Sequence, residues 1–388
     1  MALSLSRPLR SLLAGQWGWL SLLSWLVLIA PATALDLRIA VQEDKQQLNI
    51  GSSTPATLID GAGRSLGQLP AAQPFTATAV PGAVTLAGQK AWQLWVEPTQ
   101  GGQVLIGDRW YRGKVRLIRT SQGFMAINHV DLEDYLASVV GKEMYASWPL
   151  EALKSQAVAA RSYALYRRHK QATPLYDLGS TTTYQVYAGV QGETPSTRAA
   201  AQSTAGQVLT YQGNVIEAVF HASSGGHTEH SENVWGGPTA YLRGVPDFDQ
   251  TSPSFQWSVT LGADQLKQRL PGLGNIVAIA PLEHTFTGRV KTVQIVGDAG
   301  SRTMTGRQLR QALGLKSTLF AVSPSVGPIA SQGTFAGPPT QFLIQGRGFG
   351  HGLGMSQWGA YALAQQGKTY QQILQHYYQG TTLAQLSE

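Results

Sequence analysis

Residues 128–168 read NHVDLEDYLASVVGKEMYASWPLEALKSQAVAARSYALYRR, and the organisation of the chain turns on them. Asp131 is of a type that caps helix N-termini well, and Asp134, three positions on, can reach back to it as in a capping box. Leu132, Tyr135, Leu136 and Val139 then recur at helical spacing, and Gly141 is the expected end of this first helix. Pro149 stands where a first-turn proline is tolerated, so a second helix is expected from near Trp148 to about His169. At 100° per residue Leu150, Leu153, Ala157, Ala160 and Ala164 share one face, whose slim positions let another backbone come close. Arg161 falls inside that stripe, where a guanidinium must find a carboxylate or carbonyls because a buried unpaired charge is very costly.

Between the helices lies Gly141-Lys142-Glu143-Met144-Tyr145. An apolar rim of Met144, Tyr145 and Trp148 would raise the Glu143 carboxyl by desolvation and keep a proton on it near neutrality, as a general acid requires. The same glutamate could also be a surface carboxylate paired with Lys142. Glu151, the next acid, lies on the polar side of the long helix, where it favours the first turn.

The chain has 388 residues, room for two domains or one elaborate one. Only 13% of residues are charged, against the usual share of roughly 25%, so glycine and neutral polar residues must cover much of the surface. The absence of cysteine excludes disulfides and thiolate metal sites. Arg7 and Arg10, an apolar run from Trp17 to Ala30 and Ala32-Thr33-Ala34 read as an export signal over 1–34, either cleaved or kept as an anchor. The expected location is the periplasm or cell wall. The basic excess is diffuse and has no long Lys/Arg run, so nucleic acid is not an expected partner. Nucleotide is not expected either. The glycine run lacks GxGxxG, and Gly367-Lys368-Thr369 has Ala362 where a P-loop needs glycine and follows a helix.

Short alternating strands punctuated by Gly and Pro fill residues 35–100. The expected class is α+β: a β-rich N-terminal region, 35–100, followed by a mixed α/β domain, 101–388. Val208 to Ala222 reads as a hairpin with Gly213-Asn214 at its tip, emptying into His221-Ala222-Ser223-Ser224-Gly225-Gly226-His227. Ala321 to Thr340 reads as a loop, and Gln341 to Gln345 as a strand that opens onto glycine at every second position from Gly346 to Gly354.

Three further stretches offer polar groups to a ligand. Ser223, Ser224 and the backbone at Gly225 and Gly226 could meet sugar hydroxyls, or form an ordinary turn. In Tyr184-Gln185-Val186-Tyr187, Gln185 and Tyr187 either face a ligand or sit satisfied in a buried strand. His351 and Gln357 flank the glycine run before a helix, with His351 either holding a ligand or structural. Trp148, Trp235 and Trp358 lie beside these stretches; tryptophan stacks on sugar rings but also fills cores, and core is expected for Trp148. His221, His227 and His230 with Glu229 lack HExxH spacing, so no metal is assigned, and GxSxG is absent.

GKEM, WPLEALKSQAVAARSYAL and the YL of EDYL resemble the signature of the stage II sporulation protein D (SpoIID/LytB) family. YQVYAG, HASSGGH and RGFGHGLGMSQWGA resemble its further blocks, in order, over roughly Tyr111 to Tyr378, more weakly between Pro253 and Thr340. That family includes peptidoglycan lytic transglycosylases and relatives described as amidase enhancers. The resemblance implies an acid at Glu143 and glycan contacts among Lys142, Arg161, Gln185, Tyr187, His221, Ser223, Ser224, Gly225, Gly226, His351 and Gln357. It implies no cofactor. The partners it implies are glycan strands, cut to 1,6-anhydro ends or bound on behalf of a cell-wall amidase.

Overall fold

The structure is a computed structural model and describes residues 35–325 and 339–386. The expected export signal and residues 326–338 of the expected loop lie outside them; Phe320–Ser325, at the start of that loop, is a strand.

The fold is α+β with a β-rich N-terminal part. One sheet runs in the order Leu178–Gly179, Asp36–Lys45, Phe124–Asp131, Lys114–Arg119, Gln93–Pro98, Ala56–Asp60, Ser65–Leu69. A six-stranded sheet built from Gln47–Ser52, Phe75–Val80, Ala83–Leu86, Gln89–Ala91, Val104–Ile106 and Arg109–Tyr111 packs on it. The large sheet runs through position 100 without a break, because the first strand pairs antiparallel with Phe124–Asp131, Ile39 opposite Asn128. Leu37, Ile50, Val96 and Leu117 of the sheets share one apolar core with Leu136, Val139, Leu153 and Ala160 of the helices.

Eight helices occur among the described residues: α1 Leu132–Glu143, α2 Leu150–Gln171, α3 Pro195–Ser203, α4 Ser231–Trp235, α5 Ala263–Arg269, α6 Gly306–Leu313, α7 Gln357–Gln365 and α8 Tyr370–Tyr377. Asp131 caps α1 by accepting from the amides of Glu133 (2.8 Å) and Asp134 (3.2 Å). Asp134 does not return the bond; it pairs with Arg198 at 3.0 Å. Gly141 does not end α1, which continues to Glu143. A Cβ at Gly141 would stand 2.0 Å from the Gly192 carbonyl oxygen, so the glycine is there for a close approach of the Gly189–Gly192 turn.

Helix α2 is enclosed on nearly every side from Ala152 to Ala164, more than one apolar stripe would require, whereas Leu150 is exposed. Arg161 is fully buried and ties four elements together. Its Nε donates to Glu133 Oε1 of α1 (2.9 Å), Nη2 to Glu133 Oε2 and to the Ala201 carbonyl of α3 (3.2 Å), and Nη1 to the Gln207 carbonyl (3.0 Å) of the strand Gln207–Tyr211. Glu151 staples α2 to α8 by accepting from the Tyr370 amide at 2.8 Å.

Residues 256–347 carry a second core. The antiparallel strands Gln256–Gly262, Gln341–Arg347 and Phe320–Ser325 and the meander Ile276–His284, Val290–Gly297, Gly300–Thr305 pack Leu261, Val293, Ile295 and Phe342 against Leu266 of α5 and Leu309 of α6.

Replacing Arg161 by methionine is expected to cost about 3 kcal/mol or more, because Glu133 and two carbonyls lose their donors. Glu133→Gln should cost at least as much, since it leaves the fully buried Arg161 guanidinium without a counter-charge, whereas the Glu133 carboxylate left by the methionine variant keeps 24% of its surface in water. Urea unfolding of both variants measures the difference.

Candidate active site

Glu143 is the last residue of α1 and lines a cleft of about 650 Å³. Tyr163, Tyr184, Val186, Val219, Phe220 and Val234 make much of its wall. The carboxyl has two partners: the Val186 amide donates to Oε1 and the Gln357 side-chain amide to Oε2, both at 3.3 Å. Burial pushes this carboxyl above the ordinary 4.5, and the two hydrogen bonds oppose the shift only in part. No pairing with Lys142 is seen; Lys142 is exposed and does not line the cleft.

The irregular segment after α2 reaches the cleft with the second of the two readings open for Gln185 and Tyr187. Tyr184 and Val186 line it, whereas Gln185 and Tyr187 point into the core. Gln185 accepts from Tyr135 Oη (3.1 Å), and Tyr187 donates to Asn128 Oδ1 (2.7 Å). These two and Arg161 are therefore enclosed, with protein partners for their polar atoms, and stand away from the cleft surface. Gln357 is also buried, and its amide bridges Glu143 to Gln156 Oε1 (3.4 Å).

The HASSGGH and glycine-rich loops lock onto each other. Phe220–His221 pairs in parallel with Met355–Ser356, and Ser223 and Phe349 exchange backbone hydrogen bonds at 2.7 and 3.0 Å. A Cβ on Gly350, which has φ +123°, would meet the His221 Cβ at 2.6 Å. Ser223 and Ser224 are buried, bound to Asp249 and Asp247 respectively, and Asp249 also accepts from the amides of Gly225 (2.8 Å) and Gly226 (2.9 Å). Burial and then neighbouring Asp249 raise the Asp247 carboxyl, which also accepts from Tyr377 Oη at 2.6 Å. These serines and glycines brace the loop instead of facing the cleft. His221 donates from Nδ1 to the Leu353 carbonyl (3.0 Å) and is kept neutral by burial.

His351 does line the cleft. Its Nδ1 accepts from the Leu353 amide at 3.0 Å, so the neutral ring carries its proton on Nε2. Burial first, and then Arg310, push its pKa down to about 4. Trp235, 41% exposed, sets its ring 5.7 Å from that of His351. Trp148 is half-buried in an aromatic cluster, its ring 4.9 Å from those of Trp358 and Tyr361. The rings of His227 and His230 turn to the Thr228 carbonyl and the Gly244 amide. Among the described residues no three His, Asp or Glu side chains are placed to hold a metal ion.

Several polar groups of the cleft, Glu217, Arg167, Arg307 and Arg310 among them, were not legible in the sequence. Glu217 is a second carboxylate in the lining, 3.5 Å from Arg167, with burial raising its pKa. Arg307 and Arg310 reach the same cleft from α6. Their spacing of three residues puts both on one helix face, but nothing local ties that face to a glutamate more than 160 positions earlier.

A family model described as stage II sporulation protein matches residues 120–211, and one described as a domain of unknown function matches 232–354. The chain is 34% identical to an uncharacterized protein of Brachyspira hyodysenteriae, over 74% of this chain and 75% of that one. It is 33% identical to the stage II sporulation protein D of Bacillus subtilis, over 67% of this chain and 76% of the relative. It is also 33% identical to the amidase enhancer of Bacillus subtilis, spanning 64% of this chain but only 40% of that protein. With Glu143 of GKEM at the cleft and the other blocks folded around it, this chain belongs to the stage II sporulation protein D family.

Proposed function

We propose that the protein is an exported lytic transglycosylase that cleaves the β-1,4 bond between N-acetylmuramic acid and N-acetylglucosamine in peptidoglycan. The observation that carries this reading is the Glu143 carboxyl, raised by burial, held by two neutral donors and free of any cation partner, in a cleft whose other carboxylate, Glu217, is paired with Arg167. The protonated carboxyl gives its proton to the bridging glycosidic oxygen as the C1–O bond breaks, leaving an oxocarbenium-like centre on the muramyl ring. The resulting carboxylate takes the proton of the muramyl C6 hydroxyl while O6 bonds to C1. This closes a 1,6-anhydro ring and restores the acid. One carboxyl serves both steps, whereas most hydrolytic glycosidases need two. The neutral donors favour the carboxylate enough to let the proton leave, without a cation that would strip it beforehand.

The name of one relative, amidase enhancer, favours a second reading: a glycan-binding module that stimulates a separate amidase and cleaves nothing. In that case Glu143 would serve only as a hydrogen-bond acceptor for sugar.

Incubating the protein with glycan strands and analysing the products by mass spectrometry is expected to give 1,6-anhydro ends. Glu143→Gln should lower their yield by about 10³-fold or more while glycan binding persists. Undiminished product from Glu143→Gln would contradict the acid role; absence of product from the parent protein with binding intact would favour the enhancer.

Glu217→Gln is expected to change the rate by less than about tenfold and to leave the products anhydro-ended, since its partner Arg167 gives it a structural pairing. Loss of activity, or hydrolytic reducing ends from the parent, would instead make Glu217 the second carboxylate of a hydrolase.

The pH dependence has a defined sign. A carboxyl whose folded pKa is raised stabilises the fold least when ionised, so the protein loses stability as pH climbs from 4.5 through the raised value. Glu143→Gln escapes that loss. Its melting temperature should match the parent's below pH 4.5 and exceed it by a margin of about 1–3 °C above the raised value. A gap that does not vary with pH would show that Glu143 is not desolvated in the folded protein.

A further inference from the structure

The cleft that holds Glu143 is also lined by two cations of a separate element. Arg307 and Arg310 both line it from α6, an element of the 256–347 core. Neither forms an ion pair among the described residues, although thirteen such pairs exist there, including Arg167 with Glu217 in the same cleft. Like charges three residues apart on a helix repel, and among the described residues no carboxylate pairs with either to relieve it. Arg310 is partly buried and fixed in place, its Nε donating to the Leu315 carbonyl at 3.2 Å. Neither arginine pairs with the acid: the partners of the Glu143 carboxyl are the Val186 and Gln357 amides. A cation beside Glu143 would strip its proton; one further along the cleft can hold an anion without doing so.

Building on the glycan reading above, we infer that Arg307 and Arg310 form an anion subsite that binds the lactyl carboxylate of a muramyl residue in the strand whose glycosidic bond lies at Glu143. N-acetylglucosamine is neutral, so in a strand freed of peptides the lactyl group is the anion available, and two guanidiniums suit a carboxylate. The exposed face of Trp235 and the neutral ring of His351 lie in the same lining and suit the uncharged body of a sugar. The 256–347 unit thereby supplies recognition of charge, while α1 supplies the acid.

The test is calorimetric binding by the full chain carrying Glu143→Gln, with and without Arg307→Gln/Arg310→Gln. Three glycans of matched length are compared: peptide-free strands, the same strands with the lactyl carboxyl reduced to the alcohol, and peptide-bearing strands. The double glutamine variant should bind peptide-free strands about tenfold more weakly, bind carboxyl-reduced strands within about twofold of its parent, and lose most of the salt dependence of binding. Arg307→Lys/Arg310→Lys should retain the salt dependence, which separates charge from a folding defect. Equal affinity of the Glu143→Gln protein for acidic and reduced strands, equal losses on both glycans in the double glutamine variant, or no glycan binding at all would overturn the subsite. A loss confined to peptide-bearing strands would place the anion on the peptide and overturn the assignment to the sugar. If the unsubstituted protein makes no anhydro ends yet the tenfold contrast holds, the transglycosylase reading falls and the subsite stands. If it makes them and the contrast is absent, the reverse is true.

Discussion

The buried guanidinium of Arg161 is the constraint on which the rest of the structure depends. It sits on the most enclosed helix and reaches α1, α3 and the strand Gln207–Tyr211 at once. Its carboxylate partner, Glu133, is in the first turn of α1, and Glu143 is the last residue of the same helix. Ten residues of helix separate the two, a rigid rod of about 15 Å. Fixing one end therefore fixes the direction in which the other presents its carboxyl. Arginine suits this task because its planar fork can satisfy a carboxylate and carbonyls in different directions while staying charged. Capture of α1 by Asp131 at the end of a sheet strand completes the placement, since the strand Phe124–Asp131 is held on both edges.

The cleft is assembled from parts far apart in sequence. The acid comes from α1, a backbone donor from the segment around Val186, a side-chain donor from the start of α7, an imidazole from the glycine-rich loop and two guanidiniums from α6. Three of these groups are held by something other than a ligand: Gln357 by Gln156, His351 by the Leu353 amide, Arg310 by the Leu315 carbonyl. Such preorganisation lets a site meet developing charge without first reorganising itself. The serine-rich loop, and the glycine run apart from His351, contribute at one remove. Asp247 and Asp249 hold them in register, and the absence of side chains on the glycine run lets one backbone lie on the other.

How much of this could be read from the sequence depended on whether the information was local. The cap at Asp131, the two helices and their joint follow from spacing and residue type, and the helix ends fall within two residues of expectation. Arg161 was legible as a buried cation in need of partners, though the family resemblance had placed it at the substrate. Alternation in Tyr184-Gln185-Val186-Tyr187 shows two faces without saying which is inside; the polar pair went inward because Tyr135 and Asn128 wait there with hydrogen-bonding groups. Gly141 looked like a helix terminator because glycine often is one, and only the neighbouring turn at Gly192 shows the other reason for it. Glu217, Arg307 and Arg310 carry no local signal at all. Their importance is a matter of which surfaces a long-range fold brings face to face.

The central claim is that Glu143 holds its proton above the range of an ordinary glutamate, and infrared difference spectroscopy reads that state directly. Titrating the parent protein against Glu143→Gln isolates one carboxyl band. The account requires the protonated C=O stretch of Glu143 to persist to pH values clearly above 4.5. Conversion of that band to carboxylate at or below 4.5 would contradict it.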